Sequence, residues 1–199
     1  NKNKDVLIKD CTIDLMKYQS LLIMGASGVG RSTLLRTLAG LWPYAKGNVY
    51  LPKEEEFLFL PQRPYLPLGS LRQAISYPVV EEVISEKYND EEIKEILIAC
   101  KLENLADKLD IVDDWSRILS LGEQQRIAFA RILLYRPEFV FLDEATSALD
   151  EDLEGNLYDM LKFHLPNTKI ISIAHRSSLI AKHQAILRLK EKGCWEIHE

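Results

Sequence analysis

An α/β fold is what this sequence predicts, with a mainly parallel sheet, an N-terminal antiparallel β portion and an inserted helical subdomain. Short continuous apolar runs, Leu21-Leu22-Ile23-Met24, Phe139-Val140-Phe141-Leu142 and Ile170 to Ala174, suit strands buried on both faces of a parallel sheet. Helical patterns lie between those runs, and strand–helix alternation implies parallel pairing. From Leu71 to Tyr135 the alternation stops, with helices and loops but no convincing strand, which places the inserted helical subdomain at approximately residues 71–135.

Along the chain, Val6 to Leu15 is rich in apolar and β-branched residues that roughly alternate, so it reads as a first strand. A helix is expected from Thr33 to Gly40, with Gly40 as its C-terminal stop. A second begins near Asn89, where Asn89 and Glu92 have capping-box spacing and Ile93, Ile96, Leu97 and Cys100 recur at helical spacing. Another starts after Ser120 and runs to about Tyr135. The last long helix spans Glu151 to about Phe163, carries Leu153, Leu157 and Leu161 on one face, and ends before Pro166.

At 199 residues, the chain is one generous domain or a core with an insertion. A net charge of -5 argues against a nucleic-acid surface, which would show a basic excess. Cys11, Cys100 and Cys194 share no metal-like or redox spacing and read as reduced thiols of a cytosolic chain. No apolar run approaches the ~20 residues that span a bilayer. The opening Asn1-Lys2-Asn3-Lys4 reads as the start of an excised piece of a longer protein, with any membrane part outside it.

The motif that carries most chemistry is Gly25-Ala26-Ser27-Gly28-Val29-Gly30-Arg31-Ser32-Thr33, set between an apolar run and a helix. Strand, glycine-rich turn, basic residue, hydroxyl and helix form the layout of a phosphate-cradling loop, and so of a P-loop NTPase core. The glycines let backbone N–H groups turn onto one anion, and the adjoining helix adds its positive end. Lysine is the usual basic residue at the position of Arg31. Downstream, Phe139 to Leu142 bring Asp143 and Glu144 to a strand end, where ligands of open α/β sheets bind. Asp143 suits Mg²⁺, which prefers oxygen ligands, and Glu144 suits proton acceptance from an attacking water. On residue type alone, an acidic turn after a core strand would look the same. Ser120 and Glu123 mark a capped helix start, which is a second anion site or an ordinary helix cap.

Together these strings resemble the nucleotide-binding domain of an ATP-binding cassette (ABC) transporter over residues 1–199. GASGVGRST, LPQRPY, LSLGEQQR, FVFLDE, SALD and IAHR appear in the family's order. GLWPYAKGNVYLP and FLFLPQRPYLPLGSLRQAISYP are similar to the half-transporters related to peroxisomal fatty-acyl transporters and their bacterial relatives. The resemblance implies that Gly25 to Thr33 wrap the β- and γ-phosphates of ATP and that Ser32 and Asp143 hold Mg²⁺. Gln62 would sense the metal and the attacking water, Glu144 would be the catalytic carboxylate, and His175 would contact the γ-phosphate. Two domains would pack head to tail, with Ser120 and Gly122 of one capping the nucleotide on the other. Glu123 belongs with that nucleotide-site group, and Asp150 would lie at the contact with the second copy. The implied partners are a second such domain, identical or related, and a membrane-spanning domain, with the chain on the cytoplasmic face of the membrane and no nucleic acid.

The chain departs from the family pattern at Arg31, at Leu121 in place of the signature's first glycine, and in having no aromatic before Tyr18 to stack on adenine. Arginine's planar fork is not equivalent to lysine's point charge at a tight site, so slower hydrolysis is expected. A degenerate nucleotide-binding module with little turnover, and a soluble non-transport cassette ATPase, are the competing readings.

Overall fold

The computed structural model describes residues 6–50 and 57–199. They divide into two compact units: residues 6–50, 57–59, 137–144 and 167–199 form the first, and residues 60–136 with 145–166 the second.

The first unit is built on β1 (Ser20–Gly25), α1 (Arg31–Leu38), β5 (Phe139–Asp143), β6 (Lys169–Ile173), β7 (Ala185–Leu189) and β8 (Trp195–His198). With β2 (Phe57–Leu60), the strands form one sheet in the order β2-β5-β6-β1-β7-β8. β5, β6, β1 and β7 run parallel, and β8 pairs antiparallel with β7. This is the mixed α/β architecture with a mostly parallel sheet that the apolar runs predict. Alternation along each strand sends Leu21, Ile23, Phe139, Phe141, Ile171, Ile173, Leu187 and Leu189 to one face, where they form a core with Leu34 and Leu35 of α1. Phe141 is 1 % exposed and meets Phe57 edge-on and Phe139 in a stack.

α1 begins two residues before the Thr33 expected from its apolar pattern, because Gly30 adopts φ +102° and turns the chain straight into the helix. Its end is as anticipated. Gly40 takes φ +71°, Leu41 N–H donates to Arg36 O and Gly40 N–H to Thr37 O, which is a Schellman stop.

The expected strand from Val6 to Leu15, and with it an N-terminal antiparallel portion, is not found among the described residues. Asp10 has φ +47°, which breaks an extended run, and Leu15–Lys17 form a 3-10 turn capped by Asp14. At Lys9 this stretch holds the sheet end: its N–H donates to Gly193 O, and its carbonyl accepts from Trp195 Nε1. In this sheet an antiparallel pair lies at the other end of the chain, β7 with β8.

The second unit contains α2 (Leu71–Ser76), α3 (Glu81–Lys87), α4 (Asp90–Ala99), α5 (Trp115–Ile118), α6 (Leu121–Tyr135) and α7 (Glu151–His164). A two-residue ribbon, β3 (Gly69–Ser70) with β4 (Val112–Asp113), is a strand pairing that the sequence does not announce. The capping box at Asn89 and Glu92 forms as expected, and Ile93, Leu97 and Cys100 are buried. α6 and α7 start where their caps, Ser120 and Asp150, place them.

Removing the Phe141 ring takes out a fully buried side chain against which two other rings pack. Phe141→Ala is therefore expected to cost about 3–5 kcal/mol, read as a lowered midpoint in denaturant unfolding.

Candidate functional site

The predicted residues fall into two groups, one in each unit. In the first unit, β1 ends at Gly25 and the chain passes through the exposed Ala26, Ser27 and Gly28 before entering α1 at Arg31. A Cβ on Gly25 would sit 2.6 Å from Leu189 O, so the turn leaves β1 against its neighbour strand only because this residue has no side chain. No side chain caps the start of α1, because the cap residue is Gly30. The first-turn N–H groups and the positive helix end therefore face an open loop, the arrangement that binds phosphate.

Sheet parity then decides where the acid goes. Asp143 lies two residues beyond Phe141 and points to the same face, the one α1 covers. Ser32 and Arg36 are one turn apart on α1 and both reach it: Ser32 Oγ donates to Asp143 Oδ1 at 2.7 Å, and Arg36 Nη2 pairs with Oδ2 at 3.2 Å. Arg36 was not among the expected site residues, although its spacing from Ser32 is the signal that would have found it.

Glu144 comes next at φ +53°, a left-handed conformation uncommon for a residue with a side chain, and its N–H donates to Ile173 O at 3.1 Å. Such strained backbone clusters at functional sites. His175 Nε2 lies 2.6 Å from Glu144 Oε1. A carboxylate only accepts, so in the tautomer that bonds Glu144 the proton is on Nε2 and Nδ1 accepts from Arg31 Nη1 at 3.3 Å; Arg31 Nη2, 3.1 Å from the same Nε2, is then a close contact and not a donor to it. The Arg31 guanidinium is buried, and its Nη2 lies 3.4 Å from Glu144 Oε1. The basic residue of the loop thus lies against the acid and the histidine expected to do the chemistry. Ser32 and Asp143 offer a hydroxyl and a carboxylate, the oxygen donors Mg²⁺ takes when substrate phosphates complete its shell. Among the described residues no cluster of three or more His, Cys, Asp or Glu could hold a metal by itself.

In the second unit, Gln62 lies just past β2 and is exposed. Its amide donates to Ser147 Oγ at 3.3 Å. Ser120 caps α6: its Oγ accepts from Glu123 N–H at 3.3 Å and donates to Glu123 Oε2 at 2.7 Å, while its own N–H donates to the same carboxylate at 2.9 Å. These bonds, the Ser120 hydroxyl foremost, hold the Glu123 carboxyl below its usual range. A Cβ on Gly122 would meet Leu149 at 3.3 Å, so the start of α6 lies close to the SALD loop. Leu121, at the variant signature position, lies in the first turn of α6, where an L-residue fits without strain. Asp150 accepts from Leu153 N–H at 2.8 Å and caps α7. Gln125 and Ser147, absent from the expected site, bind each other and Gln62; no spacing rule brings such distant residues together.

A glycine loop running into an uncapped helix, beside a strand that ends in paired acids, is the P-loop NTPase fold. Residues 8–147 match the family described as ABC transporter, and the chain belongs to it. It is 49 % identical over 191 residues to an uncharacterized ABC transporter ATP-binding protein of Haemophilus influenzae, covering 96 % of this chain and 31 % of that one. It is 36 % identical over 204 residues to ATP-binding cassette sub-family D member 1 of Drosophila melanogaster, covering 99 % and 28 %. The structure of a bacterial Atm1-family ABC exporter with ATP bound superposes with a TM-score of 0.76 at 26 % identity, over 90 % of this chain and 34 % of that one. The chain thus spans about a third of the length of these relatives.

Because Glu123 titrates low when folded, its part of the α6 cap is in place above the ordinary carboxylate range and is lost as pH falls through the depressed value. Ser120→Ala is expected to lower stability by about 1 kcal/mol. It should also move the Glu123 titration, tracked by carboxyl NMR, back up toward the usual range.

Proposed function

We propose that this chain binds Mg-ATP and hydrolyses it in a head-to-tail pair of such domains, driving transport by a membrane-spanning partner. One observation carries the reading. The uncapped start of α1, the Ser32–Asp143 pair and the Glu144–His175 pair converge at one end of the first unit's sheet. The family match and the ATP-bound exporter with the same fold support it.

In this reading Gly25 to Thr33 receive the phosphates, and Ser32 with Asp143 would hold Mg²⁺. The ion would supply charge neutralisation at the phosphates. Glu144, held by His175, accepts the proton of the attacking water. Gln62 is assigned metal and water sensing by the family pattern alone. Ser120, Gly122, Glu123 and Asp150 would serve the nucleotide and the contact of the second copy. ATP then acts as glue, and its hydrolysis shifts the population from closed to open pairs. The place of work is the cytoplasmic face of a membrane. Among the described residues no helix is long and apolar enough to cross one, so the membrane part is assigned to the partner domain.

A second reading, a nucleotide-binding module with little turnover, is favoured by the Arg31 guanidinium lying on both Glu144 and His175. Two substitutions separate the readings. Glu144→Gln is expected to keep ATP binding and to lower phosphate release by about 10²–10⁴-fold. Wild-type release as low as the variant's, with tight binding in both, would select the second reading. Arg31→Lys frees Glu144 and restores a compact charge, and turnover is expected to rise by up to about 10²-fold. Turnover unchanged by the lysine would sink this account of Arg31.

A further inference from the structure

The helix α6 carries adjacent glutamines with different roles. Gln124 turns back on its own segment, donating to Ser116 O and Leu119 O, each at 2.9 Å. Gln125 is 0 % exposed, and its bonds leave the helix. Its Nε2 donates to Gln62 O at 2.8 Å and to Ser147 Oγ at 3.2 Å, and its Oε1 accepts from Ala148 N–H at 3.0 Å. A primary amide has two N–H donors and an acceptor oxygen, and here all of them are used. Burial makes each bond costly to lose, since an unpaired group cannot turn to water.

These bonds join two loops far apart in sequence: the one that begins at Gln62 and the one that contains Ser147-Ala148-Leu149-Asp150. The Ser147 hydroxyl is the shared point, accepting from both Gln125 and the Gln62 side chain. The SALD loop is also pinned at its ends, where Thr146 Oγ1 donates to buried Glu154 and Asp150 caps α7. Its middle is therefore placed by Gln125. Nothing in this arrangement is needed to form α6 itself, whose cap is complete at Ser120 and Glu123.

We propose that Gln125 is a positioning residue, a buried amide that makes the Gln62 backbone and the SALD loop move as one body. Any displacement at Gln62 then reaches Asp150 without passing through solvent-exposed side chains. The inference deepens the hydrolysis reading and rests on it for its effect on rate. The coupling of the two loops stands on the hydrogen bonds alone.

The test uses the complete protein with Gln125→Leu, which keeps bulk and removes every bond, and with Ser147→Ala, a change at an exposed position. Gln125→Leu is expected to lower kcat by about 10–100-fold, as loss of an outer-shell partner does, with KM and ATP affinity unchanged. Ser147→Ala should lower kcat alone but add nothing in the Gln125→Leu background. Amide exchange should speed up together over residues 61–64 and 145–150. Wild-type kcat in Gln125→Leu, a KM that rises as kcat falls, or losses that multiply would overturn the proposal. If Gln125→Leu does not fold, Ser147→Ala decides: faster exchange over 61–64 supports the coupling, and wild-type exchange there overturns it. If the wild-type protein releases no phosphate, the hydrolysis reading fails by itself. Exchange still judges Gln125, since loss of protection in only one loop overturns the coupling.

Discussion

The register of three parallel strands is the constraint on which the candidate site depends. Ile23 of β1 stands beside Ile173 of β6, and Ile173 beside Asp143 of β5. That row ends β5 and β6, and β1 runs two residues further, to Gly25. The segments that leave those strands emerge at the same edge: Gly25 and its loop, His175, and Glu144. Because side chains alternate with period two, a one-residue slip of β5 would turn Asp143 away from α1 and bring its apolar neighbour Leu142 to the same face. The Ser32 and Arg36 contacts would be lost with it. The deep burial of Leu21, Phe141, Ile171 and Leu187 makes such a slip costly, so the apolar core enforces the position of the polar site.

The electrostatics of that edge are set by the groups that face it. The start of α1 brings positive potential and Arg31 brings a full charge, while Asp143 and Glu144 bring negative charge. Arg31 is buried, and a buried cation needs a partner. Its planar fork lies along His175 with both terminal nitrogens and reaches Glu144 with one of them, a span that the single ammonium of lysine cannot make. A phosphate arriving at the loop therefore competes with Glu144 for the same guanidinium. That competition ties binding to the state of the acid. It would also give the slower turnover proposed for arginine at this position a physical reason.

Three strands of the sheet and the long helices were legible because their signals are local. Apolar runs marked β1, β5 and β6, capping residues marked α4 and α6, and a leucine face marked α7. The strands β7 and β8 escaped because Arg188 and Glu196 interrupt their apolar character and their turn lies in Glu191–Gly193. The short α2 escaped although Ser70 and Gln73 form a full capping box, because six residues are too few for a periodic pattern. Val6 to Leu15 failed in the opposite sense: its alternation is real, but a strand needs a partner along its length, and Asp10 turns the chain first. In the site, residue types were readable and partnerships were not. Nothing local in Arg31, Glu144 and His175 announces that they meet, because the sheet's crossovers bring them together.

The two groups of site residues differ in how their polar atoms are spent. In the first unit the start of α1 has no side-chain cap, and its hydrogen-bonding capacity is directed outward. In the second unit the polar atoms are bonded within the unit, Gln125 completely and Ser120 nearly so. For the Ser120 hydroxyl to donate to a phosphate of a second copy, it must release Glu123 Oε2. The cap need not break, because Ser120 Oγ can keep accepting from Glu123 N–H while its proton turns outward. The carboxylate then loses one of its donors but keeps the Ser120 N–H. Rotation of one hydroxyl is a small change beside the rearrangement of a buried network. The second unit can thus stay rigid in its interior, with Gln62 and the SALD loop locked to α6, and still present a donor at its surface. In the proposed head-to-tail pair, rigidity within and one free rotor at the edge would let a second copy read the nucleotide without unfolding its own helix cap.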